Sequence, residues 1–201
     1  MAAKLQVQAG VRPQRQGSAA KDGAVQRMPN PPAFVEYKNL RFLIFDAPSD
    51  RTLDLYLNEL DKYNVTDVVR VCDPTYDKET LAKKGMTVHD WPFPDGDPPP
   101  NHVVAEFLNL VNARFGKPKT AKSASTEQVV EQKSTIGVHC VAGLGRAPVL
   151  VTMALIEAGL APLDAVIYVR ERRRGAINAR QLKYVESYKR RSRSDKGCII
   201  C

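Results

Sequence analysis

The stretch Thr135-Ile136-Gly137-Val138-His139-Cys140-Val141-Ala142-Gly143-Leu144-Gly145-Arg146-Ala147-Pro148 decides the fold, because it changes character twice in fourteen residues. Thr135–His139 is short and apolar enough to be a buried strand. Gly143 and Gly145 permit a tight turn directly after it. Pro148 then opens a strongly apolar helix to Glu157, at a position where its missing N–H costs nothing. Strand, tight turn and helix in this order point successive backbone N–H groups, and the positive end of the helix, at one spot. An anion placed there would be held by the loop Val141, Ala142, Gly143, Leu144, Gly145 and Arg146. The Arg146 fork matches two oxygens of a phosphoryl group. The same field favours the thiolate of Cys140, which is the nucleophilic form. His139 is expected to orient the loop through hydrogen bonds. A cysteine and an arginine at this spacing are a weak signal alone; the strand before them and the helix after them supply the specificity.

Upstream, Phe34–Tyr37 and Arg41–Phe45 read as strands. Pro48-Ser49-Asp50 is expected to cap a helix with Leu53, Tyr56, Leu57 and Leu60 on one face. Val65–Cys72 is a buried strand, Asp77–Lys84 a short helix and Thr87–Asp90 another strand. Asn101 should cap a helix to about Phe115. Two more helices follow the apolar one, Leu163–Arg172 and Asn178–Arg190. Strands alternating with helices give an α/β fold with a mainly parallel central sheet flanked by helices on both faces. Ligands of such sheets bind beyond the C-terminal ends of the strands. Cys72, Trp91 and Cys140 all fall there.

Phosphoryl transfer to sulfur needs an acid for the leaving oxygen. Trp91-Pro92-Phe93-Pro94-Asp95-Gly96 offers one, on a loop stiffened by prolines and turned at Gly96. Asp90, still on the strand, and Asp97, farther into the loop, compete with Asp95, and each also reads as an ordinary surface aspartate.

The chain of 201 residues carries a net charge of +8, and all of the excess lies between Tyr168 and Gly197. Residues 1–32 read as a tail without periodicity, 33–190 as the folded domain with an exposed insert at about 116–133, and 191–201 as a basic tail. No apolar run is long enough to span a membrane and none resembles a secretory signal, so a cytosolic location is expected. The four unevenly spaced cysteines make neither a disulfide framework nor a metal site. No cofactor is expected. Nucleic acid is not an expected partner, since the basic stretch lacks interleaved aromatics beyond Tyr184 and Tyr188. Arg170–Arg174 reads as a solvated helix end near the rim of the site. Cys198-Ile199-Ile200-Cys201 fits a prenylation signal at Cys198. With the basic residues upstream it should hold the chain on an anionic, cytoplasmic membrane face beside a cytosolic pool.

Taken together, Val69–Cys72, Asp90–Phe93, His139–Pro148 and Arg173–Ala176 resemble the phosphatases of regenerating liver, small prenylated protein tyrosine phosphatases, from about Phe34 to Cys201. The resemblance implies the protein tyrosine phosphatase fold, hydrolysis of phosphotyrosine-type monoesters on proteins, and Cys140 as nucleophile, Arg146 as phosphate binder and Asp95 as general acid. It gives Cys72 a role as a reversible disulfide partner of Cys140. It also implies a magnesium transporter of the cyclin M type as partner, so that a low-turnover binding module is the second reading, and it allows a homotrimer. Ala147 is the most specific match, since related cysteine phosphatases usually carry Ser or Thr there. Without that hydroxyl, hydrolysis of the phosphocysteine is expected to be slow. The N-terminal extension, the insert, Thr135 and Ile136 in place of a cysteine pair, and Pro94 in place of a second acid depart from the family pattern.

Overall fold

The computed structural model describes Met28, residues 30–116 and residues 133–191. Most of the expected N-terminal tail, the interior of the expected insert, and Cys198 with its neighbouring basic residues lie outside the described residues.

The element order is β1 (Ala33–Tyr37), β2 (Leu40–Asp46), α1 (Leu53–Lys62), β3 (Val65–Arg70), α2 (Lys78–Ala82), β4 (Thr87–Asp90), α3 (Asn101–Phe115), β5 (Thr135–Cys140), α4 (Arg146–Glu157), α5 (Pro162–Arg172) and α6 (Ala179–Ser187). Among the described residues the strands form one sheet in the order β1-β2-β5-β3-β4. All neighbours run parallel except β1, which pairs antiparallel with β2. The mainly parallel sheet with helices on both faces is thus the observed architecture.

Side chains alternate along each strand, so every central strand feeds two cores. Phe42, Ile44, Val69 and Val138 face α3, α4, α5 and α6, whereas Leu43, Phe45 and Val68 face α1 and α2. The apolar helix α4 is buried over nearly its whole length. Each of its large side chains contributes roughly 1.5–3 kcal/mol when fully removed from water. β5 lies between β2 and β3 and is buried at all six positions, so its C-terminal end sits at the middle of the sheet edge. Cys140 is its last residue.

The helix starts differ from expectation. Ser49 does not cap α1; Thr52 N–H donates to Ser49 O at 2.9 Å and Ser49 N–H to Thr52 Oγ1 at 3.0 Å, which closes a separate turn ahead of the helix. Asn101 is the first residue of α3 rather than its cap, and its Oδ1 accepts from Arg191 Nη2 at 3.3 Å. α4 begins at Arg146, two residues earlier than the proline suggested, and Pro148 still falls within the first turn, where N–H groups lack helical partners. α6 ends at Ser187, short of Arg190, but Asn178 caps it through a full capping box with Gln181.

Candidate active site

The loop after Cys140 is shaped by where its carbonyls go. Val141 O accepts from Ala47 N–H at 2.9 Å, Leu144 O from Ile177 N–H at 2.7 Å, and Gly145 O from Val149 N–H at 3.2 Å. The two carbonyls between them, on Ala142 and Gly143, accept from the Arg173 guanidinium. In a planar trans peptide the C=O and the following N–H point in opposite directions. Five carbonyls engaged on the outside therefore turn the N–H groups of Ala142 through Arg146 inward, toward one point. Gly143 takes φ of +65°, and a Cβ there would lie 2.5 Å from Phe45 O, so only glycine fits.

Cys140 is buried and free, and it opens on a cleft of about 260 Å³ bordered by Asp95, Val141, Leu144 and Gly145. Arg146 is buried at the start of α4. Its Nη1 donates to Phe93 O at 3.0 Å and to Val71 O at 3.3 Å, which fixes the guanidinium between the ends of β3 and the acidic loop. Its Nε lies 3.1 Å from Asp95 Oδ1, yet the N–H is not directed at that oxygen and has no hydrogen-bond acceptor. The Nε–H is thus a buried donor without an acceptor, available to an incoming anion.

The three candidate acids separate cleanly. Asp90 binds Arg70 in two places, Oδ1 at 2.5 Å from Nε and Oδ2 at 3.1 Å from Nη2, and these hydrogen bonds hold its carboxyl below the ordinary carboxylate value. It faces a structural partner and not the cleft. Asp97 pairs with Arg180. Asp95 alone of the three borders the Cys140 cleft, with its side chain 80% exposed. Its loop is tied to α6, because Asn178 Nδ2 donates to Gly96 O at 3.1 Å and Gln181 Nε2 to Asp97 O at 3.1 Å.

Behind the loop, His139 is fully buried, and burial lowers its imidazole to about 4, so it is neutral. A ring N–H serves the Cys140 backbone, and Nε2 lies 2.8 Å from Tyr76 Oη. A neutral imidazole has one donor and one acceptor, so Tyr76 O–H donates to Nε2. The expected loop-orienting histidine is therefore in place, with a partner that the sequence did not announce. Cys72 is buried and free, its Sγ 4.0 Å from His139 Nδ1, and burial raises its thiol above the ordinary value against the pull of Arg146. Arg70 of β3 is in register with His139 of β5, so Cys72 and Cys140 leave neighbouring strands side by side.

One expectation is corrected at a single residue. Residues 170, 171, 172 and 174 are exposed, as a solvated helix end should be, but Arg173 is buried, and Arg170 is tied down by donating to Ala176 O and Ile177 O at 2.9 and 2.8 Å. Among the described residues no cluster of three or more His, Cys, Asp or Glu side chains is placed to hold a metal ion. The Cys140 cleft is lined by residues of the loop whose amides suit an oxyanion, and Arg146 lines the adjoining cavity with Cys72 and Asp95.

No family model matches the chain. It is, however, 51% identical over 172 residues to the probable protein tyrosine phosphatase type IVA A of Dictyostelium discoideum, covering 86% of this chain and 96% of the relative. It is 49% identical over 168 residues to protein tyrosine phosphatase type IVA 3 of Homo sapiens, covering 83% and 90%. The chain belongs to the type IVA protein tyrosine phosphatases. A solved structure of a putative protein tyrosine phosphatase from Leishmania major overlays with a TM-score of 0.67 at 40% identity, covering 79% of this chain and 99% of that one. As a type IVA phosphatase the chain is a cysteine-dependent enzyme acting on phosphoproteins. No described helix is long and apolar enough to cross a membrane.

Proposed function

We propose that this type IVA phosphatase works through a phosphocysteine at Cys140. Cys140 Sγ attacks the phosphorus of a phosphotyrosine; the S–P bond forms as the P–O bond to the tyrosine breaks. Asp95 gives its proton to the departing phenolate oxygen. The inward amides of Ala142 through Arg146 and the Arg146 fork hold the phosphoryl oxygens as charge shifts. Water then attacks the same phosphorus, Asp95 takes its proton back, and the Cys140 thiolate leaves with release of inorganic phosphate. The observation that carries this reading is the buried, unclaimed Nε–H of Arg146 beside Asp95, a residue that borders both the Cys140 cleft and the adjoining cavity that Arg146 lines.

Ala147, fully buried, offers no hydroxyl to the departing thiolate, which supports a slow second step. That residue equally suits the second reading, a low-turnover regulatory binding module for a magnesium transporter of the cyclin M type at the membrane. Lipidated Cys198 and the basic residues before it would supply the membrane attachment; a Cys198→Ser variant that stayed on membranes would remove prenylation as the anchor. Cys72 and Cys140, at the ends of adjacent strands, are the pair for a reversible disulfide: peroxide oxidises Cys140 to the sulfenate, the Cys72 thiol displaces hydroxide, and the S–S bond forms.

Rapid mixing of the full chain with a phosphotyrosine peptide, acid quenching and peptide mass spectrometry tests the main reading. Phosphate should appear on Cys140 within one turnover and be absent from Cys140→Ser. Undiminished turnover by Cys140→Ser would sink it.

A further inference from the structure

Among the five outward carbonyls of the phosphate loop, three are held by main-chain N–H groups, which few substitutions can remove. The central two are held by a side chain. Arg173 Nη2 donates to Ala142 O at 3.1 Å and Nε to Gly143 O at 3.2 Å, while Nη1 reaches Pro31 O at 2.9 Å, just ahead of β1. We propose that Arg173 is a positioning residue for the phosphate loop, setting the Gly143 and Leu144 amide donors from behind by gripping the carbonyls of the same peptide planes. This rests on the reading of the Cys140 loop as an oxyanion cradle.

Three features favour positioning over plain packing. Arg173 is buried, 8% exposed, and two of its guanidinium's three partners are backbone atoms of the loop itself. The absent Cβ of Gly143 is what lets it approach: a Cβ there would sit 2.8 Å from Nη2. Its donors also diverge from one planar group, which a lysine ammonium cannot reproduce in place. If this grip is lost, the two central peptide planes are free to rotate, and a carbonyl turned inward puts negative charge where the anion binds. The fixed positive charge behind the loop adds a second attraction for that anion. Arg173 touches neither substrate nor nucleophile, so its effect passes wholly through the loop.

The test uses tungstate, an inert oxyanion, titrated into the full chain by calorimetry, alongside KM and kcat for a phosphotyrosine peptide. Arg173→Met should weaken tungstate by about ten-fold or more and raise KM in step, since charge-assisted hydrogen bonds shape the cradle. Arg174→Met removes the same charge from an exposed neighbour and should change tungstate affinity less than about two-fold. Arg173→Lys keeps the charge without the fork and should fall between wild type and Arg173→Met. A folded Arg173→Met with wild-type affinity overturns the proposal, as does an equal loss in Arg174→Met. Should the methionine variant fail to fold, wild-type affinity in Arg173→Lys overturns it. Absence of tungstate binding by the wild-type chain would instead strike the reading of the loop.

Discussion

The hydroxyl of Tyr76 lies 2.8 Å from Nε2 of His139, and both side chains are buried behind the Cys140 loop. Tyr76 stays protonated, because burial pushes its phenol well above the ordinary value. Removing the hydroxyl in Tyr76→Phe leaves a buried imidazole nitrogen without a donor. A cost of about 1–3 kcal/mol is expected, read as a lower urea midpoint at unchanged slope.

His139 also sets a pH window. Its folded value of about 4 lies below the ordinary imidazole value of 6.5, so the unfolded chain takes up a proton that the folded chain refuses. Stability is full above pH 6.5 and falls as pH drops toward 4, by roughly 3 kcal/mol at most. The lowered carboxyls of Asp67 and Asp90 take over only below that range. Thermal unfolding at pH 7 and pH 4.5 should show the loss, and His139→Gln should flatten it.

Asp90 and Asp95 should part company when each becomes asparagine. Asp90→Asn strips the buried Arg70 of its ion pair and should cost about 2 kcal/mol, discounted because Asp90 itself is partly exposed. Asp95→Asn should leave stability within about 0.5 kcal/mol. It should slow phosphocysteine formation from phosphotyrosine by roughly 10²–10⁴-fold, and less with a nitrophenyl ester, whose leaving group needs no proton. Equal stability losses in the two variants would contradict the assignment.

Ala147→Ser restores a hydroxyl at the second residue of α4. If the second step limits turnover, steady-state release of phosphate should rise by roughly ten-fold and the pre-steady-state burst should shrink. Ala147 is fully buried, so the added oxygen sets an opposing risk of strain, and the unfolding midpoint is measured beside the rate.

Gly143→Ala forces a Cβ to within 2.5 Å of Phe45 O at a left-handed φ. Loss of oxyanion binding with a stability cost above about 1 kcal/mol is expected.

What the sequence disclosed follows from how local each signal is. Cys140, its glycine turn and the helix behind it are contiguous, and their meaning survives without knowing any partner. The parallel sheet was legible because strand and helix patterns alternate. The strand order was not, since nothing in β5 says that it will insert between β2 and β3. Arg173, Tyr76 and Gln181 were missed for the same reason. Arg173 acts on carbonyls 30 and 31 residues away, Tyr76 on a ring 63 residues away, and Gln181 on a carbonyl 84 residues away. Backbone acceptors carry no side-chain signature, so a run of arginines looked solvated when one of them was built in. Ser49 and Asn101 misled in the other direction: both are good capping residues, but a competing turn and a distant arginine claimed their oxygens.

The fastening of the acid loop to α6 bears on the order in which the chain becomes useful during synthesis. Once the segment through α4 has left the ribosome, the sheet can hold the thiol and its glycine turn. The groups that grip the loop carbonyls and the Gly96–Asp97 backbone, at residues 173, 178 and 181, are translated only afterwards. On the proposed mechanism, a nascent chain carries its reactive thiol before the residues that fasten the loops around it, and α6, the last of the described helices, completes the site.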